Sequence, residues 1–575
     1  MRPLVLLAAL SALLSNSCYS AGDGKPPPLD ELYFPTGLAL DRASMSDPDG
    51  ETPRAPKYMY VVNSDFDLQY RAASLISYNL DVLHRLVPRS CNASADCQNG
   101  DICDAPGVEG IPTDPTRVPS YYCVNPITTL PCGAVGERDE ADRVLNPGRC
   151  DSINPNGAID PIDPERKLVV SSVGIGAFAT DVIWRPADPR ATSQFPGRLF
   201  VPVRGDSTLH WIDVTEAGTF QCGQVEGVND NGCDPEHRSG DVTSDNFDQL
   251  RQPSEPFAVD ATANGEFVAI TNQTSGSVSL FANDWARTGG PKLVSILTGL
   301  PLAPVGIAAL PEPEFAQEGT QHTPGFLITY RSAAQIDLLR VRDDEADSNN
   351  SGAANYTRYA LTRAGSVPIT ANSLGFDSRG IAIDDSQRKL DYQACRTSTE
   401  CDAVADPLQC RADCLRSVHQ PSVYVASRAP ASLLVGAMTN DLSLSGTSEL
   451  PSFSDSISLT FGPSRVVVGD VKVPGTSQSF QDSRGFYELE RRVFVVCFDS
   501  RRIFVYDPKR RVIDAIVSTG RGPFALALDG ERGLAYVGHF TDSYLGVISL
   551  DQRFPKTYAT IVASVGVPKS PRSSK

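Results

Sequence analysis

The stretch GRGPFALALDGERGLAYVGHFTDSYLGVISLDQRFPKTYATIVASVG, residues 520–566, decides the fold of this chain. It contains four short runs of apolar, β-branched and aromatic residues, separated by segments rich in Gly, Asp and Pro. Runs of this length between turn residues are typical of β-strands, because helices need longer segments with a 3.6-residue period. The first run, 524–528, directly follows Pro523. The stretch therefore predicts four consecutive antiparallel strands.

The same order of strands recurs seven times along the chain. The predicted first strands are residues 37–40, 181–184, 257–260, 306–309, 380–383, 465–468 and 524–528. Five of them closely follow a proline, namely Pro35, Pro256, Pro304, Pro463 and Pro523. A unit of four short strands buries its faces only against neighbouring units, which predicts an all-β, seven-bladed β-propeller over residues 33–566. An array of β-sandwiches is the alternative, but each sandwich needs about seven strands to enclose a core.

The last repeat resembles the YVTN-type repeat of surface-layer and NHL-like propellers. The resemblance rests on Gly522-Pro523, the turn Asp529-Gly530, the pairs Tyr536-Val537 and Val547-Ile548, and the closing Val565-Gly566. It is good in blades six and seven and weaker in blades four and five. It implies a disc with a central channel and mostly binding or scaffolding roles, although some of the related NHL propellers are enzymes.

The first strands should surround the channel. We expect one aliphatic side chain from each to lie at the channel wall or between adjacent blades: Leu38, Val182, Val259, Ile307, Ile381, Val467 and Leu526. Blade five is the weakest point of this count, because residues 384–420 interrupt its first hairpin and its fourth strand is poorly marked.

The N-terminus has the parts of an export signal. Arg2 precedes an apolar run over residues 4–14, which is too short to span a bilayer, and small residues and Cys18 follow. Residues 1–17 resemble a bacterial lipoprotein signal, which implies that Cys18 carries the lipid. Residues 18–32 would then be anchor and linker, and 567–575 a C-terminal tail. We expect an outer-membrane lipoprotein on the periplasmic or the surface face; a secreted or periplasmic protein is the alternative.

Composition excludes one class of partner. The 575 residues carry a formal net charge of −18, and binding to phosphate backbones needs an excess of Lys and Arg. We therefore expect no nucleic-acid partner, and no membrane contact beyond the N-terminal lipid.

The fourteen cysteines fall into groups with even counts, apart from Cys18 and Cys497. The groups are Cys91, Cys97, Cys103, Cys123, Cys132 and Cys150; Cys222 and Cys233; and Cys395, Cys401, Cys410 and Cys414. In an exported chain these groups predict disulfides within each group, with the connectivity left open. Two groups lie in insertions, 88–165 and 384–420, that share the pattern C-x2-S-x-[DE]-C, which resembles modules of exported bacterial lipoproteins. Cys497 lies in an apolar strand and should be a buried free thiol. Structural zinc is not expected, because no C-x2-C pair occurs.

Polar residues that follow the second strands are the candidate ligand site, because in a propeller these loops share a face with the starts of the first strands. The candidates are Asn63, Asp65, Asp206, Asn272, Arg331, Arg428, Asp499, Arg501, His539 and Asp542. Most of these residue types also suit hairpin turns. Turns do not require arginine, so Arg331, Arg428 and Arg501 point to a carboxylate or an anionic glycan.

We therefore expect a non-catalytic binding or scaffolding lipoprotein of the cell envelope, with a protein or glycan partner and with no cofactor, bound metal or catalytic residues. The alternative is a metal-dependent, lactonase-like hydrolase or lyase. In that case Asn63, Asp65, Asn272, Asp499 and Asp542 would supply oxygen ligands. The sequence does not identify the ligand, the oligomeric state or the side of the membrane.

Overall fold

The computed structural model describes most of the chain between residues 25 and 567. The gaps are 42–54, 189–192, 224–231, 242–249, 286–289, 312–323, 344–358, 370–375, 439–449 and single positions 405, 483 and 556; between 87 and 152 only 91, 93, 95, 97, 102–104 and 122–124 are described. The predicted signal and Cys18 lie outside this part, as do Cys132 and Cys150.

The strands form seven antiparallel sheets arranged as the blades of a propeller, which confirms the predicted fold. The strands of each blade are given from the innermost outward. Blade one consists of Pro35–Leu40, Tyr58–Asn63, Ala73–Asn79 and Val169–Ile175; blade two of Ile183–Pro186, Gly197–Val203, Thr208–Val214 and Phe220–Gln221; blade three of Pro256–Ala261, Phe267–Asn272, Ser277–Asn283 and Pro291–Leu297; and blade four of Pro304–Ala309, Gly325–Tyr330, Gln335–Asp343 and Tyr359–Pro368. Blade five consists of Phe376–Asp384, Ser422–Ala429, Ala431–Met438 and Pro451–Ser458; blade six of Pro463–Pro474, Gly485–Cys497, Arg502–Asp507 and Val512–Ser518; and blade seven of Pro523–Asp529, Leu534–His539, Tyr544–Ser549 and Ile561–Val565.

The hydrophobic core is divided among the interfaces between blades. Seven clusters of buried side chains each join one blade to the next. Phe267–Asn272 and three other second strands are buried along their whole length, whereas Gly485–Cys497 is buried only in its second half. A blade without its neighbours would expose both of its faces, so the disc is stable only as a whole.

Blade seven closes the ring against blade one. Their shared cluster includes Leu38 and Tyr536, and Arg532 of blade seven binds Asp81 at 2.5 Å. Asp81 lies in the helix Leu80–Leu86, which begins the first insertion. Ser152–Ile153, from the end of the same insertion, pairs in parallel with the outer strand of blade seven. The first insertion, which lies between the third and fourth strands of blade one, thus adds a strand across the closing interface.

Blade five, the weakest point of the predicted count, is present and complete. Its four strands form a complete sheet, in which Pro451–Ser458 pairs along the third strand. Blade two is the incomplete one, because its outer edge consists of two-residue pieces, Phe220–Gln221 and Arg238–Ser239, that pair with different parts of one strand. The edge strand of blade five alternates exposed polar and half-buried residues, which made it hard to recognise in the sequence.

The insertion into blade five folds as three helices, Ser386–Arg396, Thr399–Asp402 and Pro407–Arg416. Disulfides join Cys395 to Cys414 and Cys401 to Cys410. Because the insertion connects first and second strands, it leaves the disc on the face opposite the first-strand starts.

The first insertion leaves blade one between its third and fourth strands, and therefore on that same face. Its short strands Ile102–Asp104 and Tyr122–Val124 pair with each other, and disulfides join Cys91 to Cys103 and Cys97 to Cys123. The remaining short elements are the 3-10 helix Pro235–His237 and the strand Phe480–Asp482.

Pairing within groups is confirmed for the five described disulfides, the fifth of which joins Cys222 to Cys233. Cys497 is free and buried, as expected. In neither insertion does a C-x5-C pair bond to itself. Among the described residues, no helix is both long and apolar enough to cross a membrane.

Candidate functional site

The seven inner strands surround a central cavity of about 540 Å³. All seven predicted wall residues line it, including Leu38, Ile307 and Leu526. The equivalent of these residues in blade six is Val466, one position before the predicted Val467, because Arg465 and Val466 pair with Val496 and Val495 after a bulge at Ser464. Both valines line the cavity.

Each inner strand begins next to the connection that follows the second strand of its blade. In blade one the N–H of Ser64 donates to the carbonyl of Phe34, and the same bond recurs in five other blades, for example from Phe540 to Gly522. These connections and the starts of the inner strands therefore share one face. We call this face the mouth of the channel.

In every blade, one residue at or shortly before the start of the inner strand has a left-handed backbone. The seven residues and their φ angles are Phe34 46°, Phe178 59°, Glu255 57°, Ala303 55°, Asp377 58°, Gly462 88° and Gly522 66°. Glycine adopts this conformation freely, whereas bulky residues do so rarely. In five blades this residue is not glycine, so it places a side chain at the mouth, although glycine would adopt the same backbone without strain.

An ion pair spans the channel just inside the mouth. Arg465 of blade six donates to Asp181 of blade two at 2.5 Å, although these blades are not neighbours. Burial raises the pKa of Asp181, and the charge of Arg465 opposes that shift. Five blades have Gly or Ala at the equivalent position, because a Cβ there meets the next blade; at Gly37 it would lie 2.8 Å from Val182.

Three further arginines gather at one side of the mouth. Arg379 makes two hydrogen bonds to Asp377, at 2.7 and 3.0 Å, and Arg331 lies 3.4 Å from the same carboxylate. Arg428 lies 3.3 Å from Asp499. Burial lowers the pKa of Arg428, and the nearby charges of Arg379 and Arg331 lower it further. Like charges are therefore held together here, and we call Arg331, Arg379 and Arg428 the arginine cluster.

Aromatic rings occupy the other side of the mouth. Six phenylalanines from blades one, two, six and seven form a continuous set of ring contacts with centroid distances of 5.2 to 6.5 Å. These residues, the phenylalanine cluster, are Phe34, Phe66, Phe178, Phe498, Phe524 and Phe540. Each is at least partly open to solvent, and Phe66 is 53% exposed.

Of the ten candidates from the sequence, Arg428 and Asp499 line the cavity, and Arg331 joins the arginine cluster through Asp377. The structure does not bring Arg501 to the cavity; it lies in the turn before the third strand of blade six with φ 55°.

The side chains of three candidates stabilise their own blades. Asn63 accepts from the N–H of Tyr33 and donates to Ser74, and Asn272 donates to Ser277 and Ser279. His539 is fully buried, stacks on Tyr544 at 4.0 Å and accepts from the N–H of Gly520. Burial lowers the pKa of His539 to about 3, so the ring is neutral.

The remaining candidates are acidic and bound to neighbours. Asp206 lies 3.0 Å from His210, and Asp542 accepts from Arg521. Asp65 accepts from the N–H of Tyr70, its other carboxylate oxygen is buried without a partner, and burial raises its pKa to about 7.

Asp181, Arg379, Arg465 and the phenylalanine cluster are not among the site residues predicted from the sequence. A signal was present, because aligning the seven inner strands leaves Asp181 and Arg465 as the only charged residues at a position that is otherwise Gly or Ala. Oxygen ligands for a metal do not converge in the described part of the chain. The one metal-like group found there is the sulfur atoms of Cys91, Cys97 and Cys123, which disulfides occupy.

No family model and no curated protein matches this chain. Solved structures do match. A protein from Lactobacillus plantarum is 12% identical over 87% of this chain and 89% of that chain, with a TM-score of 0.38. A putative 6-phosphogluconolactonase from Bacteroides uniformis is 11% identical over 88% and 92%, with a TM-score of 0.36, and hydrazine synthase of Kuenenia stuttgartiensis is 9% identical over 93% and 100%, with a TM-score of 0.37. Similarity at this level carries no inference about ligand or activity.

Proposed function

We propose that this protein is a non-catalytic binding lipoprotein of the cell envelope that recognises an anionic group at the mouth of its channel. The observation that carries the proposal is the arginine cluster. Burial is the main cause that lowers the pKa of Arg428, and repulsion from the guanidinium groups of Arg379 and Arg331 lowers it further. A bound carboxylate would offset that repulsion, and guanidinium groups bind carboxylates through two parallel hydrogen bonds.

The carboxylates already present leave room for a ligand. Asp377 is shared by Arg331 and Arg379, so two cations have one anion between them. Arg331 is 40% exposed, and its contact with Asp377 is longer than an ordinary hydrogen bond. Its donors can therefore reach a ligand at the mouth. A carboxylate on an envelope protein or on an acidic glycan fits this geometry.

The lactonase-like alternative needs oxygen ligands that meet at the channel. The side-chain amides of Asn63 and Asn272 form hydrogen bonds within their own blades. Asp542 and Asp499 each lie beside an arginine. The described geometry therefore favours binding over metal-dependent hydrolysis.

A YVTN-type origin for the repeat is part of this proposal. The Gly-Pro start quoted from blade seven corresponds to a left-handed residue followed by proline, and blades one, three, four and six have the same arrangement. The shared backbone geometry supports one ancestral repeat, including in blade four, where the sequence resemblance is weak.

Export and lipid attachment at Cys18 are also part of the proposal. The chain reaches the disc on the mouth face, where Lys25 pairs with Tyr70 and accepts from the N–H of Arg71. Lys25 is seven residues after Cys18, so the chain between them spans at most about 25 Å. A lipid on Cys18 would therefore hold the mouth near the bilayer and leave the insertion of blade five and the start of the first insertion on the far side.

Anion recognition is tested by calorimetry with glucuronate and with glucose as its neutral counterpart. We expect binding of glucuronate only, and roughly tenfold weaker binding for Arg428→Gln, because one hydrogen bond to a charged group is lost. Lys509→Gln removes a cation from an exposed turn on the opposite face and is the matched control. Equal binding of both sugars, or an equal effect of both variants, would contradict the proposal.

Anchoring is tested by fractionation. Cys18→Ser should move the protein from membranes to the soluble fraction. In the lipidated protein, a fluorophore on Ser275→Cys at the mouth should transfer energy to a bilayer acceptor more efficiently than one on Lys509→Cys. The opposite order would overturn the orientation, and an unchanged fractionation would overturn the anchor.

A further inference from the structure

We propose that the ligand of the mouth is an organic acid with an apolar, preferably aromatic, body. The acid group would meet the arginine cluster and the body would lie on the phenylalanine cluster. This inference rests on the proposed function and names the chemical class of its ligand.

The phenylalanine cluster is not part of the core. The cores of this disc lie between blades, whereas the cluster joins four blades across the mouth and remains open to solvent. Phe540 lies at its centre, with ring contacts to Phe34, Phe66, Phe498 and Phe524. A continuous apolar surface around a cavity entrance is typical of a binding site.

The backbone at two of these rings supports a role beyond packing. Phe34 and Phe178 occupy the left-handed position before the inner strand, where blades six and seven have glycine. The same backbone occurs in all seven blades and suits glycine best, so the ring is what distinguishes these two positions from the glycines. The side chains, not the backbone, are therefore what these positions supply.

The aromatic and the cationic surfaces meet inside one cavity. Phe498 and Phe524 line it together with Arg379, Arg428 and Arg465. The guanidinium of Arg465 lies 5.9 Å from the centre of the Phe524 ring. One molecule in this cavity can therefore contact an aromatic wall and a guanidinium group at the same time.

The volume and the wall set the rest of the ligand's chemistry. A cavity of about 540 Å³ is in the range that holds small organic molecules. Below the mouth the wall is aliphatic, with Val259, Ile307 and Leu526 among its residues. A sugar acid would leave its hydroxyl groups facing these side chains without partners, whereas an apolar body buries itself there at no such cost.

The test compares three probes by calorimetry on the purified chain: 4-phenylbutyrate, glucuronate and 4-phenylbutanol. We expect phenylbutyrate to bind at least tenfold more tightly than either of the others, because only phenylbutyrate satisfies both surfaces. Phe524→Ser should abolish this preference while leaving the affinity for glucuronate unchanged. Phe498→Ser, on a connection at the mouth, serves as a second variant if Phe524→Ser unfolds.

The matched control is Phe461→Ser, since Phe461 is 68% exposed and does not line the cavity. It should bind phenylbutyrate as the parent does. If glucuronate binds as tightly as phenylbutyrate, the apolar part of the inference fails and the proposed function survives. If neither acid binds, both fail. If phenylbutanol binds as tightly as phenylbutyrate, the site is apolar only and the inference is overturned.

Discussion

The wall of the channel and its mouth are formed by neighbouring positions of the same seven strands, yet they differ in composition. The wall position is aliphatic in every blade: Leu38, Val182, Val259, Ile307, Ile381, Val466 and Leu526. Two residues earlier, at the mouth, the blades have Thr36, Thr180, Phe257, Val305, Arg379, Ser464 and Phe524. The repeat keeps one side-chain type at the wall and varies it two residues earlier, at the mouth. The wall residues therefore serve the packing of the blades, and the mouth residues are free to differ from blade to blade.

A charge in the channel wall should have the largest effect on stability of any change considered, far larger than a change at the mouth. Leu526 is 3% exposed between blades six and seven, so Leu526→Asp buries an unpaired carboxylate. We expect a loss of several kcal/mol in the free energy of unfolding in urea, or no folded protein. Arg331→Gln at the mouth should leave the unfolding midpoint unchanged and weaken only the binding of anions. A stable Leu526→Asp variant would refute the assignment of Leu526 to the wall.

The ion pair between Asp181 and Arg465 lies between the two regions and should have an intermediate effect. Arg465→Ala leaves Asp181 buried without its partner, which should cost about 3 kcal/mol in urea unfolding. The double variant Asp181→Ala/Arg465→Ala restores the small residues of the other five blades and should recover most of that loss. If the double variant is no more stable than Arg465→Ala, the pair does not act as a unit across the channel.

Repetition explains how much of this structure the sequence predicts. The inner strands and the wall residues follow from aligning one pattern with itself, except in blade six, where pairing with the second strand assigns the wall position to Val466 and not to the predicted Val467. Outer strands are harder to recognise, because a half-exposed edge such as Pro451–Ser458 has little apolar signal. Disulfide connectivity was not predictable, since the two C-x5-C modules pair differently: crossed in one and nested in the other.

The candidate site was harder to predict from the sequence than the propeller fold, because its contacts join blades that are distant along the chain. Arg428 follows from its place after a second strand, but the contact of Arg465 with Asp181 depends on where blades two and six stand around the ring. No local spacing contains that information. The phenylalanine cluster was missed for the same reason, because its members come from four blades and only the closed disc brings them together.

His539 tests whether a residue beside the mouth belongs to the frame. Its folded pKa of about 3 lies below the ordinary value of 6.5, so the folded state stays neutral while the unfolded state takes up a proton in acid. The contribution of His539 to the free energy of unfolding is complete above about pH 6.5. It falls by about 1.4 kcal/mol per pH unit as the pH drops toward 3. His539→Asn, which copies Asn63 and Asn272 at the equivalent position, should remove this part of the slope. Urea midpoints of both proteins between pH 4 and 8 measure the difference; parallel curves would mean that His539 is protonated in the fold.

The smallest effect is expected at Arg501, and it defines how far the mouth extends. Arg331 and Arg501 both follow second strands, but Arg331 reaches Asp377 beside the cavity, whereas Arg501 lies in the next turn and does not line it. Arg501→Gln should therefore change neither the urea midpoint nor the affinity for glucuronate or phenylbutyrate, whereas Arg331→Gln should weaken both acids several-fold. If Arg501→Gln weakens binding as much as Arg331→Gln does, the anion is held by the outer turns rather than by the inner strands. The recognition surface would then be a wide protein-binding face and not the rim of a cavity.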